Sequence, residues 1–443
     1  MAELNKRKIA RVLVEAVVPL AVGTGESSII TDSEVAVDFN GLPYIPGTSL
    51  TGVIRNAVKD ESGVDRIFGS VSQEKTSGSM IIVSDAKIVD FNGCVIDGLA
   101  LPGDTMLNLY KELPVRQHVK IGKKGVAEDT GKFDNQVVYK GTRFCFDMEC
   151  MILSGEDEKL FDRIMHVISS GSLRVGGGTR KGYGRLETKS IWVISYDMTD
   201  KKQMDAYLNH STELSISSDN LQGWIPYDNK YIEGGDDIIN ITITPDDFVF
   251  FGSGFGNENA DAVQLMERYV VWPSDNEAVV MDAGVVIPAS SVKGAFAHRF
   301  EYWYNALELD AKKAKIARQI VFGHVDKDSK VPGVIFFDDI IENCPDIAGR
   351  SKVFNHVKID RFTGGAFPGA LYNEEAIYLK GRDFTLTIRI DKKTLEERCG
   401  SYGMSDKINK AIALAKRDIE IGLLPLGGLT NRGHGCFTGC KGK

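Results

Sequence analysis

The sequence predicts an α+β protein built from two tandem domains, each with the β-α-β-β-α-β order of a ferredoxin-like (RRM-like) unit and with inserted loops and hairpins. The segment that begins at Ile45 (IPGTSLTG) returns at Ile287 as IPASSVKG. Further landmarks recur in the same order: FG at residues 68 and 322, HVKI at 118 and 356, and GG at 176 and 427. Such an ordered series indicates a duplication, and 443 residues suit two cores better than one.

The first strand and the first helix of each half follow from local patterns. Residues 11–23 and 240–252 are rich in β-branched and apolar residues and end where a Gly-x-Gly sequence starts, which predicts a strand. In the next segment, apolar residues at positions 50, 53, 54, 57 and 58 have helical spacing. We expect Thr48 or Ser49 to supply the N-cap of this helix, and Ser290 or Ser291 to cap its counterpart, which stays helical in composition to residue 320.

The remaining elements complete each unit. Short apolar strands are predicted at residues 80–83 and 334–337, and a second helix, a glycine-rich loop and a closing strand end each half. Residues 269–280 have the pattern of a hairpin inserted in the second half. The first domain is placed at residues 1–197 and the second at 238–443, with a polar linker at 198–237 whose WIPY sequence is a candidate for packing on a domain.

Composition narrows the classes of function. The net charge of −8 argues against a protein that holds nucleic acid by bulk attraction, so any such site must be local. The seven cysteines are scattered and lack the spacing of zinc ligands, which favours reduced thiols. Residues 1–11 lack the apolar stretch of a signal peptide, and the sequence has no run of about 18 apolar residues. We therefore expect a cytoplasmic protein without a membrane partner.

The late glycine-rich loops carry the second strong signal. Residues 175–184 (VGGGTRKGYG) align without a gap with residues 426–435 (LGGLTNRGHG), which places Lys181 opposite Arg432. Small residues let the backbone approach a ligand, and a cation beside exposed N–H groups suits a phosphate; a glycine-rich turn packed under the sheet is the alternative. The loops match neither a Walker loop nor a dinucleotide-binding turn, so no nucleotide cofactor is expected.

Taken together, these segments resemble the RAMP (repeat-associated mysterious protein) superfamily of CRISPR proteins. The resemblance rests on IPGTSLTGVIR at residues 45–55 followed by FG, on its second-half counterpart, and on both glycine loops. The sequence HVKIDRFTGGA at residues 356–366 is similar to the backbone-subunit branch of type III effector complexes. The resemblance implies a double backbone subunit that binds guide CRISPR RNA and target RNA and assembles with other effector subunits.

The resemblance also implies which residues face RNA. Phosphates would lie at the two helix starts and at the two glycine loops, where N–H groups and cations meet. Arg55 has no basic counterpart, because Ala297 occupies its repeat position and Arg299 lies two residues further on. The predicted RNA-binding residues are Thr48, Ser49, Arg55, Arg180, Lys181, Ser290, Ser291, Lys293, Arg299, Asn431 and Arg432.

Target cleavage in such proteins is attributed to an aspartate in the loop after the first strand, which points to Asp32 and Asp261. Each lies nine residues after the first glycine of a Gly-x-Gly sequence. Asp275 is a rival for the second position, but it falls in the predicted hairpin and reads as a turn residue. No cluster of acids suggests a complete metal site, so a divalent ion, with Mg²⁺ expected from the resemblance, would be shared between the carboxylate, RNA and water.

Two other functions stay open at this point. The chain could bind guide RNA as a structural subunit without catalysis. It could instead process guide RNA as an endoribonuclease, with His298 or His434 as candidate bases. Cleavage of a repeat RNA by the protein alone would favour processing.

Overall fold

Each half of the chain folds around its own antiparallel sheet. The computed structural model describes residues 5–25, 31–71, 76–100, 105–122, 127–215, 222–227, 236–326 and 329–439. The strands of the first half are β1 (Lys6–Ala16), β2 (Ser70–Val71), β3 (Thr76–Ser77), β4 (Ile81–Val83), β5 (Lys87–Ile88), β6 (Val115–Ile121), β7 (Ala127–Gln136), β8 (Arg143–Ile152), β9 (Leu186–Asp197) and β10 (Ile225–Pro226). Its helices are α1 (Gly47–Ala57), α2 (Val64–Ile67), α3 (Thr105–Lys111), α4 (Gly155–Ser169) and α5 (Lys201–Leu208).

The second half repeats this plan with longer insertions. Its strands are β11 (Asp236–Pro245), β12 (Phe248–Val249), β13 (Ala262–Val263), β14 (Met266–Ser274), β15 (Glu277–Ile287), β16 (Gly323–Val325), β17 (Lys330–Pro332), β18 (Ile335–Phe337), β19 (Ile340–Asn343), β20 (Ser351–Ile359), β21 (Ala366–Tyr378), β22 (Phe384–Asp391) and β23 (Phe437–Gly439). Its helices are α6 (Ala289–Glu308), α7 (Ala311–Phe322), α8 (Ile347–Arg350), α9 (Lys392–Gly400) and α10 (Ser405–Glu420).

The two main sheets have the same strand order. The first runs β9-β1-β8-β4, with β10 added beside β9, and the second runs β23-β11-β22-β18. All of these pairs are antiparallel. Helices α1 and α4 in the first half, and α6 and α10 in the second, complete the β-α-β-β-α-β order that the sequence predicts. The prediction of an α+β protein with two repeated units is confirmed.

Each main sheet packs its helices onto a separate apolar core. The first core joins Ile54 of α1 and Phe161 of α4 to the inner face of β1 and β8. The second joins Phe296 of α6 and Ile412 of α10 to β11 and β22. Each helix meets its sheet through an apolar stripe of helical period, as expected for an amphipathic helix at a domain surface. No helix in the described ranges is both long and apolar enough to cross a membrane.

The opening strands end earlier than the sequence pattern predicts. Strand β1 starts at Lys6 and stops at Ala16, and β11 stops at Pro245. Residues 17–23 leave the main sheet and make isolated bridges from Leu20 to Val138 and from Gly23 to Val35. A proline has no N–H to donate to a sheet, so Pro19 and Pro245 favour these exits. The predicted stretches of 11–23 and 240–252 therefore each contain a strand end and the start of a loop.

The predicted hairpin is confirmed, and the linker has structure of its own. Strands β14 and β15 pair around Asp275, which makes this residue part of a turn as expected. In the linker, Trp224 is buried against Ile9 and Tyr196 on the outer face of the first sheet, and β10 pairs with β9. Residues 216–221 and 228–235 of the linker lie outside the described residues. The domain limits at residues 197 and 238 remain predictions.

Candidate functional site

The two repeated helices start in the same way, and not as the sequence predicts. Pro46 and Pro288 occupy the N-cap positions, and in neither helix does the N-cap residue make a side-chain capping hydrogen bond. Instead, the N–H of Gly47 donates to Asp85 Oδ1 at 2.8 Å, and the N–H of Ala289 donates to Asp339 Oδ1 at 2.7 Å. An aspartate that follows a neighbouring strand thus satisfies a helix N–H that a local cap would otherwise satisfy.

The predicted capping residues therefore lie inside the first helical turn. Thr48 and Ser291 are exposed there, and Ser49 and Ser290 are half-buried. Their prediction as N-caps is wrong, because a proline immediately before the helix already takes that position. Their prediction as phosphate-facing residues does not depend on capping and stays a prediction.

The glycine loops of the two halves share their backbone geometry. Gly176 has a φ of 85° and Gly427 one of 97°, both in the region that favours glycine. The N–H of Gly177 donates to the Ala21 carbonyl, and that of Gly428 donates to the Phe250 carbonyl. Each loop therefore closes against the segment that follows the first strand. Part of the glycine content has this packing role, as the alternative interpretation of the sequence holds.

The first glycine loop also reaches the second half of the chain. Gly182 makes a parallel bridge with Asp338, and a side chain at Gly182 would overlap the Asp339 carboxylate and lie 2.8 Å from the Ala289 Cβ atom. The loop of one half thus lies directly on the start of helix α6 of the other. We call this contact region the junction. On one side it consists of strand β6 and the first glycine loop (175–184) with its flanking residues Arg174 and Arg185; on the other it consists of Glu267, the start of α6, Asp338 and Asp339.

Cations from both halves meet beside the junction. Burial, together with the nearby charges of Lys181, Arg180 and Arg318, lowers the pKa of Lys293 to about 8. Desolvation also lowers the pKa of Lys181. Arg318 has a carboxylate partner, Glu301, at 3.3 Å. A group of like charges held together in this way favours an anion, such as a phosphate, as its ligand.

The two candidate aspartates have matching surroundings. Both are exposed, and each lies eleven residues after the carbonyl to which the glycine loop bonds, Ala21 or Phe250. The N–H of Asp32 donates to Asp134 Oδ1 at 2.8 Å, and the N–H of Asp134 donates to Asp32 Oδ2 at 3.0 Å. Asp261 exchanges the same pair of bonds with Asn373, at 2.7 and 2.9 Å.

This reciprocal pairing ties each aspartate to the second strand of a hairpin, β7 or β21. The remaining carboxylate oxygen, Oδ1, of Asp32 and of Asp261 has no hydrogen-bond partner within the described parts of the chain. Asp275 makes no such exchange; its carboxylate meets Arg143 at 3.3 Å in the β14–β15 turn. The structure thus supports Asp261 over Asp275 as the repeat counterpart of Asp32.

A stack of three side chains lies next to each aspartate. On β7, Phe133 precedes Asp134; its ring stacks on His118 with centroids 4.9 Å apart, and the Lys181 ammonium lies 4.9 Å from its centroid. In the second half, the Tyr372 ring, just before Asn373, stacks on His356 at 5.0 Å, and the Arg432 guanidinium lies 5.1 Å from it. Each half therefore combines an aspartate, a ring, a histidine and a cation.

The two stacks differ in their buried partners. In the second half the almost fully buried Glu374 contacts His356 and His434, each at 3.1 Å, and Arg432 at 3.7 Å. In the first half Asn135 follows Asp134 as Glu374 follows Asn373, so this carboxylate is missing. Burial lowers the pKa of His118 to about 4, which keeps that ring neutral near pH 7. The two stacks therefore differ in where their second carboxylate lies: Glu374 contacts the cation of the second stack, whereas Asp134 pairs with the candidate aspartate of the first.

Other predicted site residues have structural partners. Arg55 pairs with Asp65 at 2.7 Å, and Arg299 donates to the Leu423 carbonyl at 2.6 Å and lies 3.3 Å from Asp418. Arg180 donates to the Gly333 carbonyl across the junction. The guanidinium groups of Arg55 and Arg299 therefore lie in contacts of α1 and α6 with neighbouring elements. Asn431 is exposed on the second glycine loop beside Arg432.

The candidate bases for RNA processing lie on different elements. His298 is exposed on α6, whereas His434 is buried and bonded to Glu374. In the ranges that the structure describes, no three or more His, Cys, Asp or Glu side chains are grouped as metal ligands would be. In the first half Asp32 and Asp134 form a pair of carboxylates, whereas in the second half Asp261 is paired with an amide.

The sequence analysis predicts the aspartates and the cations of the site, but not the residues that bond to the aspartates or the rings that stack beside them. Asp134, Asn373, Phe133 and Tyr372 were not singled out. The recurrence of HVKI at residues 118 and 356 is the signal that could have led to them, because each of these histidines lies opposite one of the rings in a hairpin.

Comparison with known proteins gives one family. The family model described as the RAMP superfamily matches residues 13–187 and 277–438, one region in each half. A search of curated proteins gives no match.

Proposed function

Because this chain belongs to the RAMP superfamily, we propose that it is a backbone subunit of a type III CRISPR effector complex that binds guide RNA and cleaves complementary target RNA. Asp32 and Asp261 are the proposed cleavage residues. The single observation that carries this proposal is found in both halves. Each half holds an exposed aspartate by a reciprocal pair of hydrogen bonds, next to an aromatic ring against which a lysine or arginine side chain lies.

Guide RNA is proposed to run along the junction. Lys181 and Arg180 of the first half and Lys293 of the second bring cations to one place, and Ser291 is exposed in the first turn of α6. A phosphate there would relieve the repulsion that, after burial, lowers the pKa of Lys293. This local cluster explains how a chain of net charge −8 could still hold an RNA backbone.

Cleavage is proposed to occur at the two aspartates. The free Oδ1 atom would accept the proton of an RNA 2′-hydroxyl; the 2′-oxygen then forms a bond to the adjacent phosphorus, and the bond from phosphorus to the 5′-oxygen breaks. The leaving 5′-oxygen takes a proton from water, which gives a cyclic phosphate and a 5′-hydroxyl. Lys181 and Arg432 would stabilise the charge that develops on the phosphate.

A divalent ion, for which Mg²⁺ is proposed, fits the first half better than the second. Asp32 and Asp134 would hold it in the first half, and Asp261 with the Asn373 amide oxygen in the second. When bound, such an ion supplies charge stabilisation at the scissile phosphate. We expect the first cut to tolerate a lower concentration of Mg²⁺ than the second.

The test uses the assembled complex and a target RNA labelled at one end. The wild-type complex should make two cuts, Asp32→Asn should abolish one of them and Asp261→Asn the other, each by about a hundredfold or more in rate. Asp275→Asn is the matched control, since this acid lies in a turn and both cuts should persist. Guide RNA binding, measured in parallel, should be unchanged in all three variants.

Other outcomes would favour the other functions. Unchanged cutting by the Asp32→Asn, Asp261→Asn double variant would show that neither aspartate cleaves. A wild-type complex that binds target RNA but leaves it intact would favour a structural subunit. Cleavage of a repeat RNA by the purified chain alone would favour guide processing.

A further inference from the structure

The junction between the halves is held by buried ion pairs. Arg116 on β6 donates to Glu267 Oε2 at 2.7 Å and contacts the Asp339 carboxylate as well. The Arg116 and Glu267 side chains are 3% and 2% exposed, and that of Asp339 is fully buried. Excluded from water, such pairs are costly unless every partner is present. The first half supplies the arginine and the second half supplies both acids.

A second set of ion pairs has the same polarity. The Asp338 carboxylate forms ion pairs with Arg174 at 2.6 Å and with Arg185 at 2.5 Å. Both arginines flank the first glycine loop. The junction therefore joins a basic face of the first half to an acidic face of the second. Because the two halves are repeats, the first half also has a counterpart of the acidic face, and the second half has a counterpart of the basic face. These two counterparts lie at the open ends of the chain.

The counterpart of the acidic face is at the start of α1. Asp85 satisfies the N–H of Gly47 as Asp339 satisfies that of Ala289. Unlike Asp339, Asp85 is exposed, and no ion pair is formed by it within the described part of the molecule. Ser84 occupies the place of Asp338. We call this surface, formed by the start of α1 with Ser84 and Asp85, the α1 end.

The counterpart of the basic face has lost its arginines. Hairpin registers that pair His118 with Phe133 and His356 with Tyr372 place Phe354 at the position of Arg116. The gap-free match of the glycine loops places Pro425 and Cys436 at the positions of Arg174 and Arg185. A second copy stacked in the geometry of the junction would thus bring a phenylalanine, a proline and a cysteine to the α1 end.

From this mismatch we infer that the chain does not stack on itself, and that its α1 end binds a different protein which brings an arginine, beside a glycine turn, to Asp85. Stacking of a second copy would remove the Asp85 carboxylate from water without a cation, which is unfavourable. A partner that presents an arginine where the first half presents Arg116 would complete the same contact that the junction makes. This inference rests on the duplication and the charges, and not on the proposed cleavage of RNA.

The test rebuilds the missing arginines in the full chain. The rebuilt variant carries Phe354→Arg, Pro425→Arg, Cys436→Arg and Ser84→Asp, and it stands in for a partner with the basic face. Sedimentation or mass photometry at micromolar concentration should show a monomeric wild-type protein and head-to-tail oligomers of the rebuilt variant. Adding Asp85→Arg to the rebuilt variant should return it to a monomer. The matched control places Glu at the three arginine positions and should stay monomeric.

Two results would overturn the inference. Concentration-dependent oligomers of the wild-type protein that Asp85→Arg abolishes would show that a second copy occupies the α1 end. A rebuilt variant that melts like the wild type but stays monomeric would show that the α1 end does not accept an arginine face. If the rebuilt variant does not fold, the milder pair Cys436→Arg and Ser84→Asp, which restores only the counterpart of the Arg185–Asp338 contact, is tested in the same way.

Discussion

Lys293 shows how the meaning of a residue depends on its neighbours. In the sequence it is one lysine of an amphipathic helix, on the exposed or half-buried side of the first turn. In the folded chain it faces Lys181 and Arg180 of the other half, and burial together with these charges lowers its pKa to about 8. Its charge therefore changes within the pH range in which RNA binding can be measured.

Guide RNA affinity should consequently fall as the pH rises through about 8. The protonated ammonium binds phosphate and the neutral amine does not, so the sign follows from a pKa that lies below the usual value of a lysine. Between pH 7 and pH 9.5 we expect a weakening of about tenfold, the value of one charge-assisted hydrogen bond. Lys293→Arg stays charged and should lose most of this dependence in a filter-binding titration at fixed salt. An equal pH dependence in both proteins would contradict the assignment.

The glycine loops show how one element can have two roles. Both loops close on the segment after the first strand, but within the described residues only the first lies against the other half. The second loop contains Leu429 with a φ of 58° where the first contains Gly178, so glycine is not required at every left-handed position. What distinguishes Gly182 from its counterpart Gly433 is the neighbour and not the backbone.

Gly182→Ala and Gly433→Ala therefore form a matched pair. Both residues have a positive φ, 113° and 94°, so each substitution should carry a backbone cost of about 1 kcal/mol. Only the methyl group at residue 182 overlaps Asp339 and the start of α6, which should add roughly 1–3 kcal/mol. Urea unfolding should show the larger loss of free energy of unfolding for Gly182→Ala. Equal losses would mean that the junction yields to the methyl group.

At the scale of the whole molecule, the junction joins two similar folding units through ion pairs that all have the same direction. Its ion pairs run from arginines of the first half to carboxylates of the second. Burial raises the pKa of Asp339 to about 6, against the opposing effect of Arg116. The stability of the junction is thus linked to pH.

Arg116→Met should destabilise the chain more at pH 8 than at pH 5. A carboxyl group with a raised pKa stabilises the fold below its unfolded pKa and loses this contribution as the pH rises through about 6. Without Arg116 the pKa of Asp339 rises further, so ionising this group at pH 8 costs more than in the wild type. We expect a loss of about 3–5 kcal/mol at pH 8 and a smaller one at pH 5, measured by urea unfolding at both values. The same loss at pH 5 and pH 8 would show that Asp339 does not titrate in this interval.

The sequence alone predicts the duplication, the α+β class and the main helices and strands of the repeated unit, because spacing, turn residues and apolar periodicity act over a few residues. The family resemblance points to Asp32 and Asp261, whose role in cleavage stays a prediction. Only the tertiary structure decided that Asp85 and Asp339 satisfy the helix starts in place of Thr48, Ser49, Ser290 and Ser291, and that Asp134 and Asn373 hold the aspartates. It also showed that Arg55 and Arg299 have protein partners, while Lys293 meets cations of the other half. These contacts join residues far apart in the chain, and the packing of sheets, hairpins and halves that creates them leaves no local period in the sequence.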